Sequence, residues 1–366
     1  PMGGLTLMAQ SFGAKKPERV ADLLKTSLST GLIWSCLLAL LGVMSMDAIV
    51  GAVNVTDKVG ERIALYMVVL FGCLPAFALM RSVTSAYYAC GDTRTPLVLE
   101  FFSLLVNTLL NYILVLGPGP FPAMGIQGAA IATVISRALP GTLGLVGIFI
   151  GRLGIDLRQE GSSWKPDLGD ARRMARIGFF ESMAGLLYGV VYLLLNRIAG
   201  EIGSAGPGGL GAGLRGIEWI AFAFGDGFLT ASAAIVGQNI GAGERERALK
   251  GAWLNAGLSA LSCQLVGLSF LFFPEQLCGL VTDDPATLGY ATRYVELMGW
   301  VMWAVGLEMA MYGSLVGAGW TGMTVWVSGL NNLARVPLAA ALVFGFSASA
   351  IWEGTLWAVS GGGAAP

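Results

Sequence analysis

Four carboxylates fall where carboxylates are expensive. Glu181, Glu218, Asp226 and Glu308 each lie inside a long apolar run. An acid held in a bilayer can take up a proton or a cation in one state and release it in another, and the charge it must bury changes with that step. That is ion-coupling chemistry. Glu308 precedes Ala318 by about ten residues, roughly 15 Å of helix, which puts it near mid-bilayer. Its plain alternative is a permanent pair with a buried arginine, and Arg81 is the expected partner. Glu181 sits about one turn beyond Arg176, where a helix N-terminus also favours an acid. Glu218 follows Arg215 at the spacing of a helical ion pair. Asp226 is flanked by Gly225 and Gly227. That pattern predicts a loosened helix whose carbonyls join in holding an ion.

Other chemistries lack their groups. The chain contains no His, the commonest metal ligand and the usual general base. Without it, and without an H-E-x-x-H motif, an intramembrane enzyme is excluded as a working reading. Cys36, Cys73, Cys90, Cys263 and Cys278 lie in or beside apolar runs with no C-x-x-C spacing. They read as small hydrophobes. A net charge of −1 gives no basic field for nucleic acid.

The elements that position these acids are membrane helices. Of 366 residues, 55% are hydrophobic and 12% charged, against about 25% charged in a soluble domain. The solvent must therefore be lipid. Apolar runs of at least about 18 residues predict nine full spans, at 23–50, 61–90, 96–117, 124–151, 170–200, 210–240, 246–281, 286–317 and 321–345. A stump at 1–12 precedes them, and an incomplete span starts near 349. Pro75, Pro140 and Pro337 fall inside spans and predict kinks. Every second connection is basic, with Lys15, Lys16, Arg19 and Lys25, then Arg94, then Arg152 to Arg176, then Arg245, Arg247 and Lys250. That side faces the cytoplasm.

An internal repeat organises the spans. Gln10-Ser11-Phe12-Gly13-Ala14 resembles Gln238-Asn239-Ile240-Gly241-Ala242. The same offset, 241 − 13, carries Gly91 onto Gly319 and Thr93 onto Thr321. Six spans separate the copies, so the halves run parallel. By the same register, roughly 60 residues are expected ahead of residue 1, and both ends look cut.

Three segments carry a resemblance. Gly91-Asp92-Thr93-Arg94-Thr95-Pro96 with Asn107, Asn111 and Met124-Gly125-Ile126-Gln127-Gly128 resembles the first half of the multidrug and toxic compound extrusion (MATE) family. Arg215-Gly216-Ile217-Glu218 through Gln238-Asn239-Ile240-Gly241-Ala242-Gly243 resembles its second half. The resemblance implies an all-α membrane protein of two parallel-repeat six-helix lobes around a central cavity. The first helix and parts of the second and last lie outside this chain. It divides the chain into a first lobe at 1–152, a cytoplasmic linker at 153–168 and a second lobe at 169–366.

The resemblance further implies a monomeric antiporter of the plasma (inner) membrane, with no cofactor beyond its ion. It exports amphipathic or cationic small molecules in exchange for H⁺ or Na⁺. Glu308 falls where members carry an acid. Phe179-Phe180-Glu181 is similar to the ion-site segment of cation-coupled members, so Glu181 and Glu308 are the expected Na⁺ ligands. Asn107 matches the family's Asn. Asn111 stands where some proton-coupled members have an Asp, and an amide cannot titrate. Asn107, Asn111, Met302, Trp303 and Tyr312 are the expected substrate-cavity residues, the last three polarizable groups suited to flat cations. The related lipid-linked oligosaccharide flippases would need more bases than the intramembrane Arg81, Arg137 and Arg335. The spacings Gly185/Gly189, Gly237/Gly241 and Gly313/Gly317 predict packing seams. A chain without its first helix is expected not to transport alone.

Overall fold

A computed structural model of the chain describes residues 2–53, 57–118, 122–158, 164–200 and 205–345. Among them every regular element is helical. In chain order they are α1 (Met2–Gly13), α2 (Pro17–Met44), α3 (Met46–Val53), α4 (Asp57–Gly72), α5 (Leu74–Ala89), α6 (Arg94–Leu116), α7 (Ile126–Phe149), α8 (Leu168–Gly200), α9 (Ala205–Gly211), a π-helical turn (Ala212–Glu218), α10 (Trp219–Gly241), α11 (Arg245–Phe272), α12 (Pro274–Gly279), α13 (Pro285–Ala318) and α14 (Thr321–Gly345). The incomplete span expected near 349 and linker residues 159–163 lie outside the described residues.

Among the described residues, eight helices are long and apolar enough to cross a membrane. The ninth expected span, α14, is helical but not among the eight; Asn331, Asn332 and Arg335 lower its hydropathy. Three expected runs are interrupted. The 23–50 run breaks at Ser45, the 61–90 run at Cys73 ahead of Pro75, and the 246–281 run at Phe273 ahead of Pro274. In the latter two a proline opens the following helix, where its missing N–H costs nothing. Pro140 and Pro337 stay inside α7 and α14.

The chain divides into two compact units, Pro1–Arg176 and Ile177–Pro366. The boundary falls beyond the 153–168 linker read from the sequence, because the linker's end is strapped to the first unit. Lys25 lies 5.7 Å from the Trp164 ring centre, and the Ser29 hydroxyl donates to the Trp164 carbonyl at 2.9 Å. Arg19 pairs with the buried Asp170 at 2.6 Å.

In the first unit, α5 packs on α7 through Gly141 and Gly144, and the Tyr87 hydroxyl donates to the Gly144 carbonyl at 2.8 Å. α6 leaves Val98, Phe102, Leu105, Leu109 and Leu116 exposed on one face, as a lipid-facing helix does. In the second unit, α13 is central. Gly313 and Gly317 bring it against the Leu229 and Ala233 backbone of α10, and Gly306 brings it against the Ser259 backbone of α11. A side chain at any of the three would collide with main chain, so this seam is real close packing. Among the described residues, Gly185 and Gly189 of α8 meet nothing within 4 Å. They are not a seam inside the unit but open wall.

The repeat is visible in the backbone. Gly91 and Gly319 both have φ +83°. Lys15 has φ 58° where Gly243 has φ 79°, at the same offset (243 − 15 and 319 − 91). Left-handed backbone is costly for a side-chain-bearing residue. Its recurrence at Lys15 follows from the turn's geometry, not from residue type.

Candidate functional site

The second unit holds a cavity of about 360 Å³ whose wall includes Glu181 of α8, Glu218 of the π turn, and Glu308 and Tyr312 of α13, with Arg335 of α14. Each arrives by local geometry. On α13, Met298, Val305, Glu308, Met309 and Tyr312 line the cavity. They recur at helical spacing and define one face. Glu308 is exposed into this space and Glu181 is half-buried.

Glu218 is nearly fully buried at 3% exposure. The Tyr294 hydroxyl donates to its carboxylate. The π turn makes this arrangement. Gly213 lies against the Tyr294 ring and Gly216 against the Val281 side chain, so α13 and the segment after α12 approach closely. A π turn widens the helix and redirects the side chains that follow. The expected Arg215–Glu218 pair therefore does not form. Arg215 stacks over the Tyr192 ring at 5.2 Å instead.

Three acidic side chains and one guanidinium line this cavity, so acids outnumber bases on its wall. Tyr188, Tyr192 and Tyr312 add aromatic faces and hydroxyls to the wall, a surface that attracts organic cations. The acids line the space rather than converge on a point. Among the described residues, no group of three His, Cys, Asp or Glu is placed to hold a metal ion.

Other expected residues lie elsewhere. Asp226 is exposed on α10 and outside the cavity wall. Its neighbour Gly225 does not loosen the helix; it admits the Met309 side chain, and α10 is regular throughout. The loosening occurs earlier, at Ala212–Glu218. Met302 is fully buried in the second unit's core, against Gly267. Trp303 is exposed, and its backbone N–H donates to Gln264 Oε1 at 3.0 Å. The cation lining the Glu308 cavity is Arg335; Arg81 is an exposed residue of the first unit.

In the first unit, Asn107 and Asn111 form a ladder. Asn111 Nδ2 donates to Asn107 Oδ1, and Asn107 Nδ2 to Ser136 Oγ, each at 3.0 Å. Ser103 Oγ donates to the Ser136 carbonyl at 2.6 Å. These bonds tie α6 to α7.

The sequence reading missed Tyr294 as a partner of Glu218. The signal was present: Tyr294 precedes Glu308 by about four helical turns and so shares its face.

The MatE family model matches residues 2–113 and 182–341, most of the chain. The chain belongs to the MATE family of efflux transporters. A probable multidrug resistance protein NorM of Thermotoga maritima is 25% identical over 346 residues, covering 93% of this chain and 73% of that protein. An FAD transporter of Shewanella oneidensis is 23% identical over 301 residues, covering 81% of this chain and 65% of that one. A MOP superfamily transporter from Pyrococcus furiosus superposes with a TM-score of 0.89 at 18% identity, covering 98% of this chain and 80% of that chain. The Vibrio cholerae MATE transporter VcmN superposes with a TM-score of 0.87, also at 18% identity, covering 98% and 81%. The MATE fold accounts for the helical architecture and makes this a multi-pass membrane protein.

Proposed function

We propose that this plasma-membrane protein is a secondary active antiporter, acting as a monomer, that exports organic cations in exchange for H⁺ or Na⁺. The observation that carries the reading is one second-unit cavity walled by Glu181, Glu218 and Glu308 with one arginine. Two cations of different kinds can compete for such a wall. When the coupling ion occupies Glu181 and Glu308, the charge that held the substrate is neutralised and the substrate leaves. When substrate returns, the ion is displaced. Glu218, buried and held by Tyr294, is the third acid of the wall, and Arg335 is the one base beside the three acids. Relatives of similar sequence are named for multidrug resistance or for FAD transport. An excess of carboxylates favours a cation over an anionic dinucleotide.

The test is efflux of ethidium from proteoliposomes of the full-length transporter under an imposed Na⁺ or pH gradient, for wild type and Glu308→Gln. Gradient-driven efflux by wild type should fall at least about tenfold in the variant, a loss of roughly 1.4 kcal/mol or more. Equal efflux by the two proteins contradicts the reading.

A further inference from the structure

The first unit holds a charged pair that the second-unit cavity does not explain. Glu100 lies six residues into α6 from Arg94, roughly 9 Å along it. Arg137 lies near the middle of α7. Both line a groove of about 400 Å³ with Phe101, Asn107, Thr133 and Ser136. Arg137 Nη1 stands 3.3 Å from Glu100 Oε2, and the two side chains are 45% and 33% exposed. On α5 and α6 the other charged side chains are Arg81 and Arg94, and α7 carries none besides Arg137; α4, which also packs on α7, carries Asp57, Lys58, Glu61 and Arg62 near its start.

Three features argue against a structural clamp. First, the helices are already joined by the Ser103, Asn107 and Ser136 hydrogen bonds. Second, the ion pair is a single long contact, where a committed arginine–carboxylate pair is bidentate at roughly 2.7–2.9 Å. The Arg19–Asp170 pair of the same unit, at 2.6 Å with the acid buried, shows the tight form. Third, two half-exposed charges this deep in apolar spans cannot face hydrocarbon. The groove must open on water or on other polar surface.

We propose that Glu100 is a second cation-binding residue, and that Arg137 is a tethered competitor occupying its carboxylate until an organic cation displaces it. The site takes a monovalent organic cation: a carboxylate for the charge, the Phe101 ring for an aromatic or alkyl face, and room for a small molecule. Arg137 sets the affinity by self-occupation, which favours release over tight retention. This rests on the organic-cation reading above.

The two ideas fail differently in one experiment. Ethidium affinity is measured by fluorescence anisotropy on purified wild type, Arg137→Met, Glu100→Gln and the double variant, each checked for monodisperse elution. Arg137→Met should bind ethidium about fivefold more tightly, the scale of a partly exposed ion pair. Glu100→Gln should bind more weakly, and the double variant should show no gain over Glu100→Gln. A clamp cannot produce a gain. Unchanged or weaker binding by Arg137→Met overturns the proposal, as does a gain that persists in the double variant. If Arg137→Met does not fold, Arg137→Lys replaces it, with a smaller tightening expected and unchanged affinity again overturning the proposal. Wild type that binds no ethidium removes the organic-cation reading itself.

Discussion

The two units carry the same repeat but different chemistry. In the second, three carboxylates and one guanidinium share one cavity. In the first, one carboxylate and one guanidinium share a groove, and amides and hydroxyls do the rest. Repeat-equivalent positions show the divergence. Arg335 falls on Asn107 by the offset that joins Gly319 to Gly91 (335 − 107 and 319 − 91), and each lines its own unit's pocket. Duplication therefore preserved turns, where backbone geometry dictates the conformation, and left the pockets free to change charge.

Packing offers the largest effect with which to sharpen that contrast. Gly313→Val, at the α10–α13 seam, should cost about 3 kcal/mol by overpacking and lower the melting temperature markedly. Gly185→Ala, on the open wall, should shift it little, within about 0.5 kcal/mol. Equal losses would mean that the Gly185 face of α8 is packed as closely as its Val191 and Leu195 face, which lies in the second unit's core.

The buried polar partners differ next. Tyr294→Phe leaves the Glu218 carboxylate without its donor and should cost about 1–3 kcal/mol. Asn107→Ala in the first unit should cost about 0.6 kcal/mol, the scale of an average interhelical hydrogen bond in a membrane. Chemical denaturation in detergent reads both. A reversed order would break the claim that the second unit holds the more tightly built site.

The smallest effect concerns the turn before α6. Partial burial alone would raise the Asp92 carboxyl, but the Thr95 hydroxyl at 2.6 Å and the Thr95 and Arg94 amides at 3.0 Å outweigh it and hold the carboxyl below its usual value. A depressed folded value stabilises above the unfolded one, near pH 4, and that contribution is lost as pH falls through the folded one. Wild type should therefore lose a small increment of thermal stability below about pH 4 that Asp92→Asn lacks. The group is only partly buried, at a turn, so screening keeps the increment small. Identical pH profiles would contradict the assignment.

Helix existence was legible because apolar runs in lipid admit little else. The breaks were less so: Pro75 and Pro274 were visible, but the tolerance of a span for a break depends on neighbours. At the site, Glu308 and Tyr312 could be read together because they are four apart on one helix. Met302 and Trp303 could not be sorted from them without knowing which face meets the cavity. That Glu218 is buried and Asp226 exposed could not be read for a different reason. A π turn resets the phase of the helix, and a 3.6-residue period cannot report it.

Competition at the second-unit carboxylates is the central claim, and ion release tests it most directly. Ethidium is titrated into weakly buffered, purified protein while a pH indicator and ²³Na NMR follow what leaves. Wild type should release a proton or a sodium ion with each ethidium bound, and Glu181→Gln/Glu308→Gln should release neither. Release by the double variant equal to that of wild type would place the exchange outside these two residues and contradict the account.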